Sequence, residues 1–125
     1  MRRMIAGVHA LLYAENAAAA RAFFRDVLEL PSVDAGEGWP IFALPPAELA
    51  CHPGDHATEL YLMCTDIEAT RAELEAKGVE FTQPVTDQGW GRVTQLNVPG
   101  FGELGLYEPR HQSLLPAFRS AQPPR

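Results

Sequence analysis

Long apolar runs are missing from this sequence: no stretch approaches the about 20 residues needed to span a bilayer, so the chain is expected to be soluble. Cysteine is scarce. The two present, Cys51 and Cys64, both lie in runs that read as strands, and nothing before them resembles a charged-then-apolar export signal with a small-residue cleavage site. They read as buried free thiols in a reducing compartment, and the expected location is cytoplasmic. A disulfide between neighbouring strands and a catalytic thiol are the alternatives, the latter lacking a His or other base at a recognisable spacing. Basic clusters are also absent, with ten Lys and Arg scattered and only Arg2 and Arg3 adjacent. Such a chain cannot neutralise a row of phosphates, which argues against a nucleic-acid partner. Its net charge of -6 favours a neutral or cationic ligand instead.

What is present is an ordinary globular composition, 46% apolar and 21% charged over 125 residues, enough for one domain or two small pseudo-repeats sharing a sheet. Self-comparison at an offset of 50 lays residues 9–24, HALLYAENAAAARAFF, over residues 59–74, ELYLMCTDIEATRAEL. In each copy an alternating apolar run leads into Asn16 or Asp66, side chains that can cap a following helix. Phe23, Phe24, Val27 and Leu28 then share one helix face, as do Ile67, Thr70 and Leu74, and Gly78 stops the second helix. Extended runs follow at 32–35, 39–44 and 48–52 in the first half, and at 79–85, 92–98 and 103–107 in the second.

The order βαβββ, twice, predicts an α+β domain over residues 1–111: repeat one spans about 4–53, repeat two about 57–109, and both contribute to a cup-shaped mixed sheet with helices on its outer face. Residues 112–125, with Pro116, Pro123 and Pro124, are expected to form a loosely attached tail. Strand alternation turns Val8, Ala10 and Leu12 to the helices and His9, Leu11 and Tyr13 to the opposite face. The same parity sends Glu59, Tyr61 and Met63, then Glu48, Ala50 and His52, then Glu103, Gly105 and Tyr107 into one cup. Aromatic rings with a few polar groups are the usual lining of a small-molecule site.

The opening GVHALLYAENAAAARAFFRDVLEL, the central ELYLMCTDIEATRAELEAKGVEF, the GWGR run and the closing VPGFGELGLYEP together make residues 4–109 resemble the glyoxalase, bleomycin-resistance and extradiol-dioxygenase superfamily, also called vicinal oxygen chelate. The resemblance implies a divalent ion (Fe, Ni, Zn or Mn) held by residues of the first, fifth and eighth strands, sometimes the fourth. The matching positions here are His9, Glu59, Gly105 and Ala50. Glycine and alanine cannot ligate, and a catalytic ion needs about three protein ligands plus an open position. The set His9, Glu59 and Glu103 is the metal alternative, with Glu103 about 7 Å away along the strand and reaching the ion only through a bulge. The favoured expectation has no cofactor, with the small residues Ala50 and Gly105 deepening the cup for a ligand.

His52 and His56 have a two-histidine spacing, but Pro53 and Gly54 preclude the helical turn that would aim both at one metal, so they read as loop residues. Trp39, Phe42, Tyr61, Trp90, Phe101 and Tyr107 are candidates to stack a planar ligand, although some must fill the core. Trp90 between two glycines, like Phe101 between two others, suits a rim. The expected ligand-binding set is His9, Leu11, Tyr13, Trp39, Phe42, His52, Glu59, Tyr61, Met63, Trp90, Phe101, Gly105 and Tyr107. The leading functional expectation is a small-molecule binding protein that sequesters an aromatic or hydrophobic compound; the resemblance implies that the compound is one such as an antibiotic and that the protein is a homodimer. A divalent-metal lyase or extradiol dioxygenase is the alternative, and a degenerate member that only binds a protein partner is the third.

Overall fold

The computed structural model describes residues 9–48, 50, 53, 55 and 57–119. The elements run α1 (Ala17–Ala22), β1 (Ser32–Asp34), β2 (Pro40–Phe42), β3 (Tyr61–Met63), α2 (Ile67–Ala76), β4 (Thr86–Asp87), β5 (Gly91–Val98), β6 (Gly102–Pro109) and α3 (Pro116–Arg119). The protein is α+β, with a four-stranded sheet in the order β3-β6-β5-β4 and a separate β1-β2 hairpin. The strands β4, β5 and β6 pair antiparallel, while β3 joins β6 in parallel after the crossover through α2.

Both helices begin as their capping residues dictate. Asn16 accepts a hydrogen bond from the Ala19 amide at 3.0 Å, and Asp66 one from the Ala69 amide at 3.1 Å. A second acceptor comes from the sheet, since the Glu108 carboxylate takes the Ile67 amide at 2.9 Å and ties the start of α2 to β6. At the other end, the positive φ of Gly78 lets the Val79 amide fold back to the Leu74 carbonyl at 3.0 Å. The first helix loosens into a π-helical turn at Phe23–Val27, and ends where Glu29 adopts a left-handed conformation and pairs with Lys77.

Phe23 and Ala20 of α1, Ile67 and Leu74 of α2, and Val79 close over Leu96, Val98, Leu104 and Leu106 of the sheet. On β5 and β6 these inward residues alternate with Val93, Gln95, Asn97, Gly105 and Tyr107, which therefore lie on the face turned away from the helices. The predicted parity of the fifth and eighth extended runs is thus the observed one. No helix among the described residues is long and apolar enough to cross a membrane.

The first half departs from the predicted repeat. In residues 9–14 the alternation holds only from Leu11 onward, with Leu12 and Ala14 half-buried and Leu11 and Tyr13 exposed; His9 and Ala10 are both exposed, Ala10 against expectation, and the segment pairs with no described strand. The extended run expected at 48–52 is not a strand at Glu48 or Ala50, and Leu49, Cys51 and His52 lie outside the described residues. Pro45 and Pro46 precede that run and Pro53 follows it, and none of the three has an amide to donate to a ladder. The run 79–85 is likewise not a strand. It touches β5 through a bridge from Phe81 to Leu96 and single bonds at Thr82 and Asn97, before Pro84 ends the pairing. Within the expected tail, Ser113 and Phe118 are buried, so residues 113–118 pack onto the domain.

Candidate functional site

On the sheet face opposite the helices, cross-strand register sets Tyr61 beside Gly105 and Gln95, and Met63 beside Tyr107 and Val93. Gly105 has a specific reason to lack a side chain. A Cβ built there would overlap the Tyr61 ring at its Cδ1 and Cε1 atoms. The space foreseen over Gly105 for a ligand is therefore filled by Tyr61, a correction that follows from the parallel pairing of β3 with β6.

Trp90 reaches the same place from the turn before β5. Its backbone is held by the Arg110 amide at 2.8 Å, and any side chain at Gly91 would meet the Glu108 carbonyl and the Tyr107 ring. The three rings form one cluster, with centroids 6.5 Å apart for Tyr61 and Trp90, 5.5 Å for Tyr61 and Tyr107, and 5.5 Å for Trp90 and Tyr107. Their planes are close to mutually perpendicular, at 77°, 83° and 73°, the edge-to-face geometry that aromatic quadrupoles favour. Tyr107 is buried beneath the others, while Trp90 keeps 47% of its surface in solvent.

Each tyrosine hydroxyl donates to a carboxylate: Tyr61 to Glu59 at 3.2 Å and Tyr107 to Glu48 at 3.1 Å. Glu48 also accepts from the Ser113 hydroxyl at 2.9 Å and lies 3.6 Å from His111, whose ring in turn contacts the Tyr107 hydroxyl at 3.3 Å. Burial, and then the Glu48 carboxylate, push the Tyr107 phenol up to about 12, and burial followed by Glu59 raises Tyr61 as well. Because the folded protein holds the Tyr107 proton more tightly than the unfolded chain, stability is complete below the ordinary tyrosine value near 10 and falls as pH climbs toward 12. Tyrosinate absorbance is expected to show late titration whose last component, near pH 12, disappears in Tyr107→Phe. Cys64 is half-buried beside the Tyr107 carbonyl, and burial lifts its thiol to about 11, which is the state of an inert free thiol.

Of the residues expected in the cup, Glu59, Tyr61, Met63, Trp90, Gly105 and Tyr107 come together here. The others lie elsewhere. Phe42 packs on Phe24 at 6.1 Å, Phe101 rests against the helix-side core, and Trp39 is exposed with Arg21 stacked 4.7 Å from its ring centroid. His9, Leu11 and Tyr13 lie in the unpaired first segment, and His52 is outside the described residues. Sequence reading left out His111 and Ser113, and it assigned no site residue to β5, although the same alternation would have put Val93, Gln95 and Asn97 on this face.

Among the described residues the donor set does not fit a divalent ion. No three His, Cys, Asp or Glu among the described residues are grouped to hold one. The expected trio is dispersed in its chemistry: His9 is exposed in an unpaired segment, Glu59 receives the Tyr61 hydroxyl, and Glu103 receives the Thr82 hydroxyl from across the sheet. The Tyr61 ring covers the position of the missing eighth-strand ligand.

Comparison with solved structures places this architecture among known relatives. A member of the glyoxalase/bleomycin resistance protein/dioxygenase superfamily from Sphaerobacter thermophilus is 25% identical with a TM-score of 0.61, over 84% of this chain and 98% of that one. TnmS3, an antibiotic binding protein from a Streptomyces species, is 21% identical with a TM-score of 0.63, over 86% and 99%. A lactoylglutathione lyase from Agrobacterium tumefaciens is 16% identical with a TM-score of 0.60, over 84% and 95%. No curated protein sequence matches the chain. The family model matches residues 7–109, and the chain belongs to the Glyoxalase/Bleomycin resistance protein/Dioxygenase superfamily.

Proposed function

We propose that this chain is a small-molecule binding protein that sequesters an aromatic or hydrophobic compound, such as an antibiotic, without a catalytic metal. The observation that carries the reading is the Tyr61-Trp90-Tyr107 cluster, which stands on the sheet face where a metal-dependent member would place its ion. A ring-lined surface with a few fixed polar groups binds by burial and stacking, and needs no ion. TnmS3 is described as an antibiotic binding protein, and at 21% identity its likeness carries the fold alone. The reading therefore rests on the rings.

In this proposal the protein acts in the cytoplasm as a homodimer, the habit of the superfamily, with the exposed Leu11, Tyr13, Val33 and Ile41 as apolar surface for the second copy. Binding is measured by quenching of Trp90 in a Trp39→Phe background against a panel of planar antibiotics. Trp90→Ala, followed by calorimetry, is expected to weaken a hit by about tenfold or more, because loss of one stacking wall costs roughly 1–3 kcal/mol by analogy with ring-on-base stacking. Unchanged affinity in both Trp90→Ala and Tyr61→Ala would place the site elsewhere.

A further inference from the structure

Resting on the binding reading above, we propose that this aromatic surface selects a planar cation, a fused-ring system bearing a fixed positive charge. Three observations converge on that class. First, ring faces attract cations through their quadrupole, and here Trp90, packed edge-to-face with Tyr61 and the buried Tyr107, keeps 47% of its surface open to solvent. Second, each tyrosine donates its hydroxyl to a carboxylate, Tyr61 to Glu59 and Tyr107 to Glu48, which polarises the phenol and makes its ring the more negative.

The third observation is an imbalance of charge. The ion pairs made by Arg and Lys among the described residues go to Asp26, Glu75, Glu29, Glu68 and Asp87. None goes to Glu59, Glu103 or Glu48, the carboxylates of this face. Glu48 has His111 at 3.6 Å, which is charged only when protonated, and the other two are satisfied by hydroxyls alone. A neutral ring system would gain the stacking and leave those carboxylates uncompensated. An anionic one would meet their repulsion and that of a chain carrying a net charge of -6. A cation gains from both the rings and the acids.

The test uses the full chain carrying Trp39→Phe, so that Trp90 is the sole tryptophan reporter, titrated with N-methylacridinium, neutral acridone and anionic anthraquinone sulfonate. N-methylacridinium is expected to bind about tenfold more tightly than acridone, an advantage that shrinks at high salt and in Glu59→Gln, with anthraquinone sulfonate weakest. Glu59 is exposed, so its glutamine variant is expected to fold; a circular dichroism spectrum checks this, and Glu103→Gln provides a second variant. Acridone binding as well as the cation, or a preference indifferent to salt and to both variants, would overturn the charge selection while leaving an aromatic-binding site in place. Failure of all three probes to quench Trp90 would overturn both readings.

Discussion

Leu96→Ala is expected to lower the unfolding free energy by about 2–5 kcal/mol, the range for emptying a fully buried leucine site. Leu96 has no solvent exposure, faces Leu104 across the β5-β6 pairing, and receives the bridge from Phe81, so atoms on three segments border the hole its truncation would leave. A small domain has only about 5–15 kcal/mol in hand, so the variant would stand near its unfolding threshold at ordinary temperature. Urea unfolding followed by circular dichroism measures the effect. Trp90→Ala makes the informative contrast, because a half-exposed ring on the other face of the sheet should change binding far more than stability. A Leu96→Ala loss under about 1 kcal/mol would mean that α1 and α2 re-pack onto the sheet without it.

Gly105→Ala is expected to cost about 1–3 kcal/mol, which is unusual for so small an addition in the middle of a strand, where alanine ordinarily does no worse than glycine. The added methyl would enter the edge of the Tyr61 ring, and that ring cannot slide freely because Tyr107 and Trp90 crowd it and its hydroxyl is held by Glu59. Tyr61→Ala should therefore remove most of the penalty. The four proteins of the cycle, unfolded in urea, are expected to show a coupling of about 0.5–3 kcal/mol between the two positions, the range for side chains in direct contact. Additive effects would mean that the ring does not lie over the glycine.

The same glycine shows where sequence reading stops. A small residue in an alternating strand signals close approach of something, and alternation places it on the correct face, but the identity of the neighbour is fixed by register with β3, on the far side of α2 and β5. Local chemistry was enough for the two N-caps, for Gly78, and for the inward Leu and Val of β5 and β6, each being set by residues within a few positions. It was not enough for residues 9–14. Their apolar alternation resembles that of β3, but alternation alone names no partner strand, and residues 9–14 pair with none among the described residues. His111 and Ser113 were passed over because no periodicity surrounds them, and their importance comes from Glu48, a partner contributed by a distant segment.

The parallel pairing of β3 with β6 makes the aromatic surface depend on a long-range contact. β5 and β6 form a tight hairpin around Gly100, a local contact with a small loop-closure cost, whereas β3 is separated in sequence from its partner β6 by α2, β4 and β5 and closes a longer loop when it docks. Tyr61 reaches Tyr107 and Trp90 only with that docking. The full three-ring surface therefore exists only where β3 is docked on β6, so a compound that binds it as proposed is expected to stabilise the docked, native arrangement by mass action.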